Sequence, residues 1–427
     1  MLARILNPIR HFNPQARLFF IVLVGMCFVV DGVYTVLLNL YMLRLGYGTE
    51  FIGLVNAVGL LTFACVSLPA GILGSRLSTT LLMKAGAAIS VVGGVLLPQA
   101  ELLPPGLREV WLVALYALML SGFSLFFVNG APYLLNVVDT ALKHRAFALK
   151  TAGWSLAGFA GSLLGGVLPG IIAAPLGATL TEPAPYRLTL TMSGVVMALA
   201  ALCLLRVRPL PREPEAPAED MPAQPSGNRL SLTGPVFIVI GIMTFIRLFQ
   251  VAGTATAMVF FNVYMDQQLA VSTALIGAIA AVGRLTGVPT ALLTPSLIER
   301  WGIVKIVLWG SLLTALCLLP MALVEHWLAA GIGFIGTLAL TSVRYASFVV
   351  YILDLVPKAQ QPIMAGSGEM AAGLSFAMMA LGGGLLLTAF TFRDLFLLGT
   401  FTALIGTALF WLYIVISKPK RKLKPAL

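Results

Sequence analysis

Asn39–Met42 reads NLYM and is followed, across a short polar break, by FIGLVNAVG over Phe51–Gly59. In the second half of the chain NVYM at Asn262–Met265 is followed by LIGAIAAVG over Leu275–Gly283. With one extra residue in the second loop, Gly53 falls on Gly277, Gly59 on Gly283 and Arg76 on Arg300. Further along, YLLNVV from Tyr133 parallels YILDLV from Tyr351, and each opens onto a polar loop and then a Gly-rich apolar run. Self-similarity on this scale means two like halves, and composition says what the halves are made of.

The 427 residues are 59% hydrophobic and 10% charged, with a mean hydropathy of +0.97. A water-exposed globular surface needs about 25% charged residues, so this chain reads as a polytopic membrane protein. Runs of roughly 20 apolar residues are long enough to cross a hydrocarbon core of about 30 Å. In lipid the backbone must satisfy its own hydrogen bonds, which leaves helices or a closed barrel. The runs are unbroken rather than alternating, so the spans are helical. Twelve are expected, near 16–43, 50–74, 79–98, 109–138, 147–173 and 187–206, then 234–265, 272–298, 303–323, 327–356, 362–389 and 394–417. The first run is too long for the apolar core of a signal peptide and has no clear cleavage site.

The expected organisation is a six-helix bundle over 1–207, a linker over 208–233, a second bundle over 234–417 and a basic tail over 418–427. Within the linker, PLPREPEAPAEDMPAQPSGN (Pro209–Asn228) is rich in proline and acid and lacks the apolar residues to bury a core. Six spans per half keep both halves in the same orientation, an arrangement that places a binding site between them near the bilayer midplane. Lys and Arg crowd the loops on the side of the termini. Only Arg44, Arg108, Arg187 and Arg393 lie on the other side. The asymmetry places both termini and the linker in the cytoplasm, and it accounts for the net charge of +11 without a nucleic-acid partner.

On these features the chain resembles the major facilitator superfamily. The family carries a pattern close to G-x-x-x-D-R-x-G-[RK]-[RK] after spans 2 and 8. Here PSLIERWGIVK (Pro295–Lys305) keeps Glu299, Arg300 and Gly302. The first-half copy, GILGSRLSTT (Gly71–Thr80), keeps Gly71 and Arg76 but has Ser75 for the acid and Ser78 for the glycine. The resemblance implies an all-α fold of two pseudo-symmetric six-helix bundles around a central cavity, working by alternating access. It also implies gating or charge pairing between halves at Arg76, Arg284, Glu299 and Arg300. GSLLGG in span 5 (Gly161–Gly166) resembles the antiporter pattern G-P-x-x-G-G with Ser162 in place of proline. Close helix packing by small residues explains it as well, and is the reading preferred here.

Charges inside the spans point to chemistry, because each costs about 2.5–3.5 kcal/mol at a helix centre. Asp31 lies about 20 Å into its span at 1.5 Å per residue. It can exchange a proton between hydrated and closed states, and Arg247 or Arg344 on the facing half is its expected partner. Glu369 is a second candidate for proton coupling, and for Arg284 pairing with Glu369 or with backbone carbonyls between the halves is expected as much as contact with a ligand. Arg247, Arg284 and Arg344 outnumber the deep acids, and the guanidinium fork suits carboxylate and phosphate, so the expected solute is anionic or zwitterionic. Tyr34, Asn129, Tyr133 and Gln250 lie at matching depth and complete the expected pocket with Asp31, Arg247 and Arg344, while Trp154 is placed to stack on a ligand.

No nucleophile–base pair, phosphate-cradling loop or metal spacing is present, so no catalytic, cofactor or metal site is expected. Cys27, Cys65, Cys203 and Cys317 fall at unrelated spacings. The expectation is a monomeric secondary transporter in the plasma (inner) membrane, with a small-molecule substrate and protons as partners. Two alternatives stand beside it: a proton-driven efflux antiporter for lipophilic cations, and a non-transporting receptor or scaffold on the same fold.

Overall fold

The computed structural model describes residues 12–138, 143–207, 234–356 and 361–417. The expected linker over 208–233 and the tail over 418–427 lie outside the described residues, as does the side chain of Arg76. Among the described residues the structure is helical throughout, with no strand. Twelve helices are long and apolar enough to span a membrane. In the first half these are span 1 (Pro14–Arg44), span 2 (Thr49–Gly71), span 3 (Thr79–Leu102), span 4 (Pro105–Leu134), span 5 (Leu149–Leu176) and span 6 (Ala184–Leu205). The second half supplies span 7 (Val236–Gln267), span 8 (Thr273–Thr290), span 9 (Ile303–Leu323), span 10 (Trp327–Asp354), span 11 (Gly366–Leu386) and span 12 (Phe392–Ile416). An even number of crossings returns the chain to the face it started from, called here the terminal face; the opposite one is the far face.

Local chemistry sets the ends of these helices. Asn13 caps span 1 by accepting from the Ala16 N–H at 2.8 Å, with Pro14 at the first helical position. Gly302 takes φ 81° between the helix that ends at Trp301 and the one that starts at Ile303, a region where a side chain is strained. Its first-half counterpart, Ser78, has φ −66°. That turn needs no left-handed residue, so serine is tolerated where the second half requires glycine.

Spans 1, 8 and 9 depart from the continuous helices expected, span 9 by a break between Leu316 and Leu319, and the other two at central charges. Span 1 passes through a π-helical segment, Phe28–Tyr34, in its middle. Span 8, expected as one helix over 272–298, forms two pieces, Thr273–Leu285 and Gly287–Trp301. Pro289 cannot donate to the carbonyl of Leu285, which removes one rung of the ladder at the break. Arg284 stands just before it.

The repeated glycines have repeated jobs. Gly53 on span 2 packs against Ala380 and Gly384 of span 11, and its counterpart Gly277 on span 8 packs against Gly166 of span 5. Both contacts join the halves. Gly59 packs against Tyr116 of span 4 and its counterpart Gly283 against Leu338 and Phe334 of span 10, both within a half. Each close approach leaves no room for a Cβ.

The repeated asparagines cross-link the halves near the far face. Asn39 of NLYM donates to the carbonyl of Val259 at 2.8 Å. Asn262 of NVYM donates to those of Thr35 at 2.6 Å and Val36 at 3.2 Å. Each asparagine thus grips the partner span about one turn before the partner's own asparagine. Asn56 supports the clasp through its bond to Asn39 Oδ1 at 2.8 Å. Further out, Arg44 forms a two-pronged ion pair with Asp266 at 2.5 and 2.7 Å, and the hydroxyls of Tyr186 and Thr273 meet at 2.9 Å.

Candidate functional site

Asp31 occupies the middle of the π-helical segment, a wide turn that recurs at functional sites. The distortion accompanies a close approach of glycines. A Cβ on Gly32 would lie 2.6 Å from Gly161 Cα, and Gly165 meets Val33. Span 5 therefore lies directly on the segment, and GSLLGG is the surface that makes this possible. Gly166 of the same motif meets span 8, so the motif packs span 5 on both sides.

The carboxylate pairs with Arg284 Nη1 across the interface between halves. This corrects two expectations: Asp31 does not pair with Arg247 or Arg344, and Arg284 does not pair with Glu369. Trp154 Nε1 donates to the same oxygen, Asp31 Oδ2, at 2.8 Å. The Asp31 and Arg284 side chains retain 22% and 11% of their exposure, so the pair is enclosed without being sealed. A Cβ on Gly158 would lie 3.0 Å from Asp31 Oδ2 and 3.1 Å from Arg284 Cδ, so glycine there makes room for the ion pair. Lys150 lies over the Phe127 ring at 4.4 Å, and Phe127 meets the Trp154 ring edge-on at 4.8 Å. Lys150, Trp154 and Gly158, spaced by four, form one stripe of span 5 facing the acid. That spacing was the available signal for Lys150 and Gly158, neither of which sequence reasoning singled out.

A second polar group lies in the C-terminal bundle. Arg247, Gln250 and Arg344 are 4%, 2% and 1% exposed. Arg344 Nη1 donates to the Gln250 carbonyl at 3.2 Å. Arg247 stacks on Tyr345 and Phe348 at 5.1 and 5.2 Å. Glu369 accepts from the Tyr345 hydroxyl at 3.0 Å and stands one turn before Gly373, which packs against Ala64 of span 2. Glu369 is exposed and lies on the helix face turned toward the other half.

The remaining residues are held elsewhere. Tyr34 is buried and donates to the Gly94 carbonyl of span 3, away from the ion pair. Asn129 donates to the carbonyls of Leu125 at 2.9 Å and Ala70 at 3.3 Å, inside the first bundle. Tyr133 packs against Phe19 at 5.8 Å, fully buried. These three do not converge with Asp31 in one pocket. Glu299 and Arg300 are exposed at the end of the helix Gly287–Trp301 and form no ion pair among the described residues. A groove of about 870 Å³ opens on the far face beside Tyr264, Glu325 and Arg393 and contains none of the central charges. Among the described residues no group of three or more His, Cys, Asp and Glu is arranged to hold a metal ion.

A family model described as Major Facilitator Superfamily matches residues 18–341 and 243–427. The fold is similar to a crystal structure of a mutant of the nucleoside transporter NupG, with a TM-score of 0.71 at 14% identity, over 94% of this chain and 99% of that one. It is also similar to the D-xylose-proton symporter, with a TM-score of 0.72 at 15% identity, over 93% and 96%. A bacterial homolog to the human lysosomal transporter Spinster, crystallised inward-facing and unoccupied, has a TM-score of 0.71 at 14% identity, over 94% and 97%. No curated protein matches the chain in sequence.

Proposed function

The chain belongs to the Major Facilitator Superfamily and is a secondary transporter rather than an enzyme; from that premise we propose that it carries a small anionic or zwitterionic organic solute, driven by protons through Asp31. The observation that carries this reading is the Asp31–Arg284 ion pair, formed across the two halves at two helix irregularities. Alternating access requires the halves to separate and re-form their contacts. An ion pair on that seam is a lock whose strength depends on the charge of its acid.

A proton on Asp31 cancels the attraction to Arg284 and frees span 8 from spans 1 and 5. Arg284 is then left without a counter-charge, and the carboxylate or phosphate of a solute replaces it. Arg247, Arg284 and Arg344 outnumber the deep acids Asp31 and Glu369, which supports an anionic group on the cargo. Efflux of lipophilic cations loses support on the same ground, since its carboxylate is already engaged by an arginine. The Lys and Arg distribution supports termini on the cytoplasmic side of the cell membrane.

The test uses purified protein in liposomes containing a pH-sensitive dye. Monocarboxylates, dicarboxylates, amino acids, sugar phosphates and tetraphenylphosphonium are added outside in turn. Solute-dependent proton flux with an anionic or zwitterionic member, lost in Asp31→Asn, is the expected result. Full flux in Asp31→Asn, or flux with tetraphenylphosphonium alone, overturns the reading.

A further inference from the structure

We infer that Arg247, Gln250 and Arg344 form a separate binding site for a compact monovalent anion, inside the C-terminal bundle. Four polar atoms of this group are buried and lack any hydrogen-bond partner: Arg247 Nη1, Arg344 Nε, and both Nε2 and Oε1 of Gln250. Buried polar groups are nearly always satisfied, and an orphan is explained by strain, function or a missing water or ion. Three adjacent side chains with four orphan atoms make a ligand-shaped deficit.

The charges give the ligand its sign. Arg344 bonds the carbonyl of Gln250, and Arg247 stands one turn before Gln250 on the same helix. The acid that borders them is Glu369, joined through the Tyr345 ring on which Arg247 stacks. It is exposed and already accepts from Tyr345. Two cations and one acid leave one positive charge uncompensated in a low-dielectric interior, an expensive arrangement without a counter-ion. One negative charge closes the balance. A halide and a solute carboxylate share the required chemistry, accepting from Arg344 Nε, Arg247 Nη1 and Gln250 Nε2. The remaining orphan, Gln250 Oε1, is an acceptor and calls for a proton donor beside the anion, such as a water of hydration.

The site is built rather than accidental. Gly310 lies under the Arg344 stem, where a Cβ would come within 3.2 Å of Arg344 Cβ. Gly406 packs on the backbone of Gln250, where a Cβ would lie 2.5 Å from its N. Both glycines let neighbouring spans press on the ligating residues and fix their positions. Tyr345, 43% exposed, borders the group through its contact with Arg247. The site draws on the anion preference proposed above, but it does not depend on proton coupling or on Asp31.

The experiment is thermal unfolding of the purified full chain at constant ionic strength. Sodium gluconate is replaced stepwise by sodium chloride, bromide or acetate. Ligands that bind only the folded state raise its stability by mass action, so a rise in Tm that grows with the logarithm of anion concentration and reaches about 3 °C or more is expected. A rise with chloride and bromide identifies a halide site, and a rise with acetate alone identifies a carboxylate subsite. Gln250→Met keeps both charges and removes the amide; it should weaken the apparent affinity at least tenfold. Arg344→Met should abolish the response. The same anion response should persist in the double variant Asp31→Asn/Arg284→Gln, which lacks both the coupling acid and the seam arginine and so separates this site from the coupling mechanism. A wild-type Tm that is flat across all the anions overturns the inference, as does an anion response unchanged in Gln250→Met and Arg344→Met.

Discussion

Asp31 stays in an apolar run because its neighbours supply what lipid does not: the Arg284 guanidinium, the Trp154 N–H and space against Gly158. A structural tie and a coupling device both need those neighbours, and the two roles part when the pair is removed whole. Asp31→Asn or Arg284→Gln alone strands a partly buried charge. Breaking a fully buried pair costs 3–5 kcal/mol, and partial exposure lowers the expected loss to about 2–3 kcal/mol. The double variant Asp31→Asn/Arg284→Gln has no stranded charge and should recover more than half of that stability in thermal unfolding. Proton flux in liposomes should remain absent in all three variants. Flux restored along with stability would make the pair a tie only. That Asp31 mattered was legible in the sequence, because a lone acid in a long apolar run is conspicuous. Its partner was misread, since Arg247 lies seven residues, about 10 Å, nearer the terminal face than Thr254, the repeat counterpart of Asp31, and that difference in depth went unweighed.

Elements were read well where composition alone sets them, and less well where packing bends them. Twelve apolar runs gave twelve spans, but FVVDGVY (Phe28–Tyr34) has nothing in its composition that separates a π turn from an α turn. The feature that accompanies it lies on another helix, in the approach of Gly161 and Gly165 to span 1. Tyr34, Asn129 and Tyr133 show the same limit. The sequence reading put them beside the charges, but Tyr133 packs on Phe19, twelve residues before Asp31, and all three make their contacts inside the first bundle. The stripe on span 5 therefore carries a prediction at this scale. A Cβ at Gly277 would lie 2.6 Å from both Gly166 Cα and the Ser162 carbonyl oxygen, all backbone that cannot step aside by changing rotamer. Gly277→Val should push spans 5 and 8 apart, at about 1–3 kcal/mol for overpacking, and disturb the Asp31–Arg284 pair, which ties span 8 to span 1 beside that contact. Solute-dependent proton flux should fall at least tenfold while expression is retained. Gly241→Val, at a glycine with nothing within 4 Å of an added Cβ, should leave both unchanged.

Across the whole molecule, the scaffold repeats and the charges do not. The offset that relates Asn39 to Asn262 puts Thr254 at the counterpart of Asp31, and the glycine offset puts Leu60 at the counterpart of Arg284. Pseudo-symmetry builds the frame and its asymmetric substitutions carry the chemistry. The asparagine clasp belongs to the frame, since each copy does for one half what the other does for its partner. It holds the far face shut, and alternating access requires it to open. An ordinary hydrogen bond contributes about 1 kcal/mol net, and 1–2 kcal/mol changes an equilibrium about 5–30-fold. Asn39→Leu and Asn262→Leu should each raise the population open on the far face about fivefold, and the double variant about thirtyfold. Ala57 reports the opening, because it is buried among Val259, Ala377 and Ala380 between the halves. With the four native cysteines replaced and Ala57→Cys introduced, labelling by a membrane-impermeant maleimide should accelerate in that order. Equal effects from the two single variants follow from a clasp shared by both halves. If only one of them acts, the repeat supplies the contact but not the gate, and if neither does, the seal belongs to the Arg44–Asp266 pair further out.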